Sequence, residues 1–363
     1  MNKFHIDPDI TLAETPPSDF YTSEEFYQLS KEKIFSKSWQ MIGDTDNVKI
    51  SNQVFPVTML DGCLSEPVLL TRDEDDNISC ISNVCTHRGN IVAESPAILK
   101  QLRCRYHGRR FGLDGKFKFM PEFEDCKNFP CEKDDLKKIS MEVFGKFIFA
   151  NLDTSEKPAI GFNDLTKEMK DRLKNFPFEQ LKFDALTSKD YLVKANWALY
   201  CDNYLEGFHI PYVHSGLNDV IDYNNYTSEL YEYSNLQIAS GKRSTEVFSK
   251  DILPHDNDIA ALYYWVFPNM MFNFYPWGLS INIVNPLGAK LTKVRFLTYM
   301  LDASKLENSA GESLDKVERE DEEIIEAVQK GLNSRIYTRG RYSPQREKGT
   351  HHFHRLLEKH LFS

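Results

Sequence analysis

Hydrophobic and polar positions along the chain change period several times, and each change marks an element. Residues 1–39 open with an irregular, proline-bearing segment. After Ser23-Glu24-Glu25, the apolar residues Phe26, Leu29, Ile34 and Phe35 recur at roughly helical spacing, which predicts an N-terminal helix packed on the body of the protein. From Gln40 to about Asn151 the pattern shortens to β-type runs. Val54–Val57, Pro67–Thr71 and Ile78–Ile81 are predicted strands, with the acidic run Asp73–Asn77 as a polar turn before the third. Phe111–Phe117, with Asp114-Gly115 at its centre, predicts a hairpin, and Phe144–Ala150 a single closing strand. A charged bridge over 157–195 is helical from Leu165 to Leu173, and Tyr191-Leu192-Val193 leads as a strand into Trp197–His214. That stretch reads as a helix which Pro211 ends or kinks. The Asn- and Tyr-rich residues from His214 to about Asn235 are long enough for a lid or entrance loop. Apolar runs between Tyr263 and Leu301 predict consecutive antiparallel strands of one sheet. Leu314–Leu332 predicts a last helix, apolar at Val317, Ile324, Ile325 and Val328 and polar at Asp315, Glu318, Glu320, Asp321, Glu322 and Glu323. The whole is α+β: a helical segment at 1–39, a small all-β domain at 40–155, and at 156–363 an antiparallel sheet flanked by helices.

Composition narrows the class without changing that picture. A chain of 363 residues that is 41% hydrophobic and 27% charged is ordinary globular material. Its net charge of −10 argues against a surface for nucleic acid. No stretch approaches the roughly 18–20 apolar residues of a membrane helix. The beginning, Met-Asn-Lys-Phe-His-Ile-Asp-Pro-Asp, has neither a secretory core nor transit-peptide character, so a cytoplasmic location is expected. Seven cysteines, an odd number, point in a reducing compartment to metal ligation rather than to a disulfide framework.

Two stretches carry chemistry. Cys85-Thr86-His87, sixteen further residues, and Cys104-Arg105-Tyr106-His107 place one thiol and one imidazole on each of two loops. Such a set holds a [2Fe–2S] cluster with two cysteines on one iron and two histidines on the other. The alternative is a structural zinc ion with two Cys and two His, whose ligands more often come in like pairs. Gly89 and Gly108 follow the two pairs. Cys63, Cys80, Cys126 and Cys131 match no ligand spacing, Cys126 and Cys131 being the only pair close enough to check for a bond. In the second stretch His209 and His214 are five apart, and on a helix Asp202, Glu206 and His209 would share one face. Two imidazoles and one carboxylate from elsewhere form the facial triad of a mononuclear iron(II) centre. The last helix is the densest supply of carboxylates; the plain alternative is two histidines near the end of an amphipathic helix. Trp265, Phe272, Phe274, Tyr275 and Trp277 read as sheet core or as an aromatic pocket for a quaternary ammonium group. His351, His352 and His354 read as structural or interface residues.

In one chain and in this order, the Cys-x-His…Cys-x-x-His pattern and Asn203-Tyr204-x-Glu206-x-x-His209-x-x-x-x-His214 resemble the α subunit of Rieske non-haem iron oxygenases. Cys201–Leu205, His209–His214 and the tail His351–Leu357 are most similar to the choline/carnitine monooxygenase-like branch. The resemblance implies a catalytic domain of helix-grip (START-like) fold after the Rieske domain. It implies Cys85, His87, Cys104 and His107 as cluster ligands and His209, His214 and Asp321 as iron ligands. Glu206 would be the carboxylate that bridges a cluster histidine of one subunit to an iron histidine of the next, with Asp202 as runner-up, and Asn203 and Tyr204 would line the iron site. A homotrimer follows from the same likeness. Arg105 stands where proline is common and Arg109-Arg110-Phe111 where Trp-x-Tyr is frequent. Both Arg105 and Arg109 are therefore expected to tune the cluster and meet an acidic redox partner. The chain has no Gly-rich dinucleotide fingerprint, so NAD(P)H acts only through a separate ferredoxin or flavin reductase. The expected reaction uses O2 to hydroxylate or oxidatively demethylate a small quaternary ammonium compound of the choline, carnitine or betaine type. The rivals are an aromatic acid hydroxylase or O-demethylase and a Rieske electron carrier without oxygenase activity.

Overall fold

The computed structural model of the chain describes residues 2–153, 155, 158–242, 245–254, 258–306, 309 and 314–363. Two compact units form: Ser36–Ile160, and Met1–Phe35 together with Gly161–Ser363. The boundaries differ by a few residues from those read in the sequence, for local reasons. Phe35 packs its ring on Trp197 at 4.9 Å, inside the second unit. Trp39 donates its indole N–H to the Ile160 carbonyl at 2.9 Å, inside the first.

Ser36–Ile160 is built from short antiparallel strands. β1 (Gln40–Asp44), β9 (Ser140–Phe144) and β10 (Phe147–Asn151) form one sheet in the order β1-β10-β9. A second contains β2 (Gln53–Met59), β3 (Glu66–Arg72), β4 (Ile78–Ser82) and β5 (Ala97–Ile98). A third, of β6 (Leu102–Arg103), β7 (Arg110–Phe111) and β8 (Phe117–Phe119), includes the expected hairpin. Val54, Leu69, Ile81, Leu102, Phe111 and Leu136 form a core that also takes in Cys85 and Cys104. The single strand expected over Phe144–Ala150 is instead a hairpin. Phe144 pairs with Phe147 across the turn Gly145-Lys146, because these two residues interrupt the apolar run.

The other unit holds α1 (Ser18–Thr22) and α2 (Glu24–Lys33), the latter capped by Ser23, whose hydroxyl accepts from the Glu25 and Phe26 N–H groups. α3 (Phe162–Arg172) leads to β11 (Lys182–Val193). A seven-stranded antiparallel sheet then forms in the order β11-β17-β16-β15-β14-β13-β12, with β12 (Thr227–Leu230), β13 (Ser234–Ser240), β14 (Ile259–Val266), β15 (Met270–Tyr275), β16 (Gly278–Gly288) and β17 (Leu291–Met300). Consecutive in sequence, β11 and β12 lie on opposite edges of this sheet. The segment between them must therefore cross it, and it carries α4 (Trp197–Tyr204), α5 (Ile210–Val213) and α6 (Ser215–Val220). α7 (Leu314–Gly331) follows β17, and α8 (Lys348–Phe362) closes the chain. α4 touches β16, α7 and α8. Where a lid or loop was expected after His214, the described backbone forms α6, a 3-10 turn and edge strand β12. Among the described residues no helix is long and apolar enough to cross a membrane.

Candidate metal centres

In Ser36–Ile160 the two ligand-bearing loops repeat one turn. The Gly89 N–H donates to the Cys85 carbonyl and the Gly108 N–H to the Cys104 carbonyl, both at 3.0 Å. The glycines adopt φ +70° and +74°, a left-handed conformation that side chains resist. Each turn carries one buried cysteine and one half-buried histidine. The Cys85 and Cys104 thiols are buried side by side, and His87 Nδ1 lies 3.1 Å from His107 Nδ1. Two imidazole nitrogens on one tetrahedral ion, each about 2.1 Å from it, lie about 3.4 Å apart, so the paired nitrogens fit a shared metal. Asn90 Nδ2 donates toward Cys104 Sγ at 3.6 Å, a contact of the kind that stabilises a ligating sulfur. Burial, His107 and the Arg88 and Arg109 charges hold the His87 imidazole below the ordinary histidine range, which keeps it neutral for ligation. Burial pushes the Cys85 thiol up, and the neighbouring Cys104 adds to this. Bound metal supplies the charge that ionises such thiols.

Arg109 does not face a partner, contrary to the sequence expectation. Its side chain is 2% exposed, paired with Asp134 at 2.7 Å and set against the Phe117, Phe129 and Phe111 rings. Thr86 donates to the Asp134 carbonyl at 2.7 Å, so Asp134 ties the two loops together. Arg105, in contrast, is 73% exposed and pairs with Glu94 at 2.7 Å. Cys126 and Cys131 are free and exposed.

The second donor set is assembled from the crossing segment and α7. α4 is capped by Asn196, whose side chain accepts from the Ala198 N–H, while the Asn196 N–H donates to Gln329 of α7 at 2.8 Å. This contact fixes the register of the two helices. α4 stops at Tyr204, so Glu206 does not continue it. The Glu206 carboxylate accepts from the Phe208 N–H and the His209 N–H, turning the chain. Pro211 lies in the first turn of short α5, where its missing N–H costs nothing, and breaks no helix. The shared helical face of Asp202, Glu206 and His209 therefore does not exist. Asp202 accepts from Tyr21 Oη at 2.9 Å and meets His354 Nε2 at 2.7 Å, tying the N-terminal segment and α8 to α4.

His209, His214 and Asp321 converge, each offering a ligand atom within 4.8 Å of the others. Asp321 Oδ1 lies 3.0 Å from His214 Nε2 and 3.5 Å from His209 Nε2. The opposite nitrogens are held by other carboxylates: His209 Nδ1 by Glu206 at 2.7 Å, and His214 Nδ1 by Glu320 at 2.8 Å. With Nδ1–H donated outward on both rings, both Nε2 lone pairs point at one place. Burial lowers the affinity of His214 for a proton, but Asp321 and Glu320 outweigh it and raise the imidazole above its ordinary range. Two imidazole nitrogens and one carboxylate fit the iron(II) facial triad, with further positions open.

A cavity opens on this triad. Asn203, Tyr200, Tyr204, Tyr226, Tyr263 and Tyr275 are among the residues that line it. Trp265, Phe272, Phe274 and Trp277 are fully buried core and do not, so most of the expected aromatic pocket is absent. Strand parity explains the two phenylalanines: Asn273 and Tyr275 share one face of β15, and Phe272 and Phe274 the other, while Trp265 packs on the Phe353 ring at 5.1 Å. Trp277 instead stacks on Tyr275 at 5.0 Å. Sequence reasoning missed Glu320, Tyr226 and Tyr263; period-two reading of β14 and β15 could have found Tyr263. α7 also reverses expectation: Ile324 and Val328 are 40% and 45% exposed, whereas Glu318 is 3% exposed and Gln329 is buried.

One donor set suited to storing electrons and one with positions free for oxygen, carried by a single chain, define an oxygenase subunit with two iron centres. Known proteins agree. Residues 38–130 match the Rieske [2Fe–2S] domain family, and residues 178–362 match the ring hydroxylating alpha subunit (catalytic domain) family. The chain is 33% identical to choline monooxygenase of Arabidopsis thaliana, over 98% of this chain and 85% of that protein. It is 26% identical to the carnitine monooxygenase oxygenase subunit of Acinetobacter pittii, over 98% and 97%. The solved structure of the quaternary ammonium Rieske monooxygenase CntA in complex with L-carnitine superposes with a TM-score of 0.79 at 22% identity, covering 99% of each chain. Naphthalene 1,2-dioxygenase with bound indole shares the fold at TM-score 0.74 and 19% identity, over 99% of this chain and 95% of that one. The chain belongs to the Rieske non-haem iron oxygenase α subunits, and is an oxidoreductase whose cofactors are a [2Fe–2S] cluster and a mononuclear iron.

Proposed function

We propose that this chain is the oxygenase component of a two-part cytoplasmic monooxygenase acting on a small quaternary ammonium compound, with electrons from a separate ferredoxin or flavin reductase. Cys85, His87, Cys104 and His107 would hold the cluster within residues 40–155, and His209, His214 and Asp321 the iron within 156–363. Iron(II) so held would supply activation of dioxygen for insertion of one oxygen atom into a C–H bond, and the cluster would supply the electrons. Glu206 and Glu320 fix the tautomer and tilt of the two imidazoles. Asn203 and the tyrosines shape the cavity around the reacting carbon.

The cavity carries the substrate class. Several tyrosines surround the triad, and no Lys or Arg occurs among the described lining residues. A quaternary ammonium group donates no hydrogen bond and is held by ring faces, each contributing about 1–2 kcal/mol when desolvated. An aromatic acid would instead require a cation on the wall. The activities named for the A. thaliana and A. pittii relatives support the same class. Hydroxylation at an N-methyl carbon gives a carbinolamine that loses formaldehyde, and at a carbinol carbon an aldehyde.

The assembly would be a homotrimer in which the cluster of one subunit serves the iron of the next through Glu206. In support, Glu206 already holds His209, and Phe208 and Tyr212 beside it are 40% and 82% exposed. Tyr106, next to His107, is 57% exposed.

The test is a single turnover: reduced holoprotein meets O2 with quaternary ammonium compounds and aromatic acids, and products are weighed by mass spectrometry. One added oxygen or one lost methyl on a quaternary ammonium compound is expected. Product from aromatic acids alone would overturn the substrate class.

A further inference from the structure

We infer that Glu318 is the counter-ion for the substrate's ammonium group, and that the site takes quaternary ammonium compounds that bear no carboxylate. This rests on the reading that the substrate is a quaternary ammonium compound.

Glu318 lies on α7, three residues before Asp321, and lines the cavity. It is 3% exposed. Its Oε2 accepts from Tyr200 Oη at 2.7 Å, while its Oε1 has no partner among the described residues. A carboxylate taken out of water without a cation is costly. Burial pushes the Glu318 carboxyl well up, and the Tyr200 bond draws it back. No described lining residue is a Lys or Arg that could answer it. The charge the site lacks is the charge that a quaternary ammonium ligand brings.

The rest of the wall suits the same group. Tyr200, Tyr204 and Tyr226 commit their hydroxyls to Glu318, Asn273 and Gln237, so the rings remain for the ligand. Asn282 joins Tyr200 to Asn273, making one continuous hydrogen-bonded chain from Glu318 to Tyr204. Glu318 and Asp321 are three residues apart on α7, neighbours on one helix face, and both line the cavity that the paired imidazoles also line. A zwitterion would also bring an anion against a wall that holds the unanswered Glu318, and like charges brought together in a desolvated site oppose binding.

The experiment is anaerobic calorimetric binding to the holoenzyme, with single turnover alongside. The probes are choline, its neutral isostere 3,3-dimethylbutan-1-ol, L-carnitine and γ-butyrobetaine. Wild type is expected to bind choline more tightly than either the isostere or the zwitterions. In Glu318→Gln, choline binding should weaken about 30-fold or more with the isostere little changed, since removing one partner of a buried charge pair is costly. Glu318→Asp should keep the preference for the cation. Iron content shows that each variant retains its centres. An iron-loaded Glu318→Gln that binds choline like wild type would overturn the inference. So would a wild-type enzyme that binds or oxidises the zwitterions at least as well as choline; that result leaves the quaternary ammonium reading standing. If no probe of either charge type binds and only aromatic acids react, both readings fall. Should Glu318→Gln fail to fold, the wild-type ranking still decides.

Discussion

Removing Glu320 tests whether the outer carboxylates make the triad a metal site. His214 is 1% exposed and its Nδ1 meets Glu320 Oε2 at 2.8 Å, so this carboxylate sets which ring nitrogen carries the proton. In Glu320→Ala the imidazole can protonate at Nε2 or rotate away, and either change removes a ligand lone pair. A hydrogen bond to a charged group contributes about 1.5–3 kcal/mol. Glu320 is 28% exposed, and its other oxygen lies 3.7 Å from Lys316, so solvent and lysine screen it. The lower end applies, about 1.5–2 kcal/mol, which is about 10- to 30-fold in iron affinity. Glu320→Gln, whose amide oxygen still accepts the Nδ1 proton, should lose about a few-fold. Glu206→Ala should lose more than Glu320→Ala, because Glu206 is 14% exposed and also accepts the Phe208 and His209 N–H groups. The assay titrates holoprotein with a graded chelator and measures retained iron, with cluster absorbance as the internal control. Wild-type iron retention in Glu320→Ala, with the cluster intact, would refute the reasoning.

Other outcomes follow from the smaller unit. Arg109→Met should destabilise it by about 3 kcal/mol or more, since Asp134 loses a buried partner; denaturant midpoints measure this. Arg105→Met should stay within about 0.5 kcal/mol in the same experiment, because Arg105 and Glu94 pair in solvent. Burial opposes ionisation of Asp134, but Arg109 and the Cys131 N–H outweigh it and hold its carboxyl below the usual range. The stability this gives is full above the unfolded carboxylate value, about 3.9, and is lost as pH falls through the lower folded value. Asp134→Asn should therefore flatten the acid limb of cluster bleaching below about pH 4, and an unchanged limb would contradict the assignment. A Cβ at Gly89 meets nothing within 4 Å, so Gly89→Ala should show the backbone cost alone, about 1–2 kcal/mol, in thermal unfolding.

Much of the chemistry was readable along the chain. The two Cys/His pairs lie on two loops whose spacing is local, and the strands of the large sheet announce themselves as apolar runs. His209 and His214 were likewise visible as a pair. Less of the surroundings was legible. The helix drawn through Trp197–His214 failed because the Glu206 side chain competes with the backbone for the Phe208 and His209 N–H groups. Arg109 looked like a docking residue because a buried arginine is recognisable only through its partner, and Asp134 lies 25 residues away.

By itself the sequence determined which donor atoms exist and which of them are close in the chain: two Cys/His pairs, two histidines and an acid-rich last helix. Which carboxylate completes the triad, and which merely orients it, was decided only when β11 and β12 took opposite edges of the sheet and α7 packed on α4. Asp321, Glu320 and Glu318 are near neighbours in sequence with similar side chains. Their different places, against both imidazole Nε2 atoms, on His214 Nδ1 and on the cavity wall, come from the rotation of one helix about its axis. A hydrophobic pattern cannot report that rotation here, because the buried face of α7 holds Glu318 and Gln329 while Ile324 and Val328 face outward. Glu318 is buried on the cavity wall and Gln329 against the Asn196 N–H of α4, and only tertiary contacts reveal that exchange.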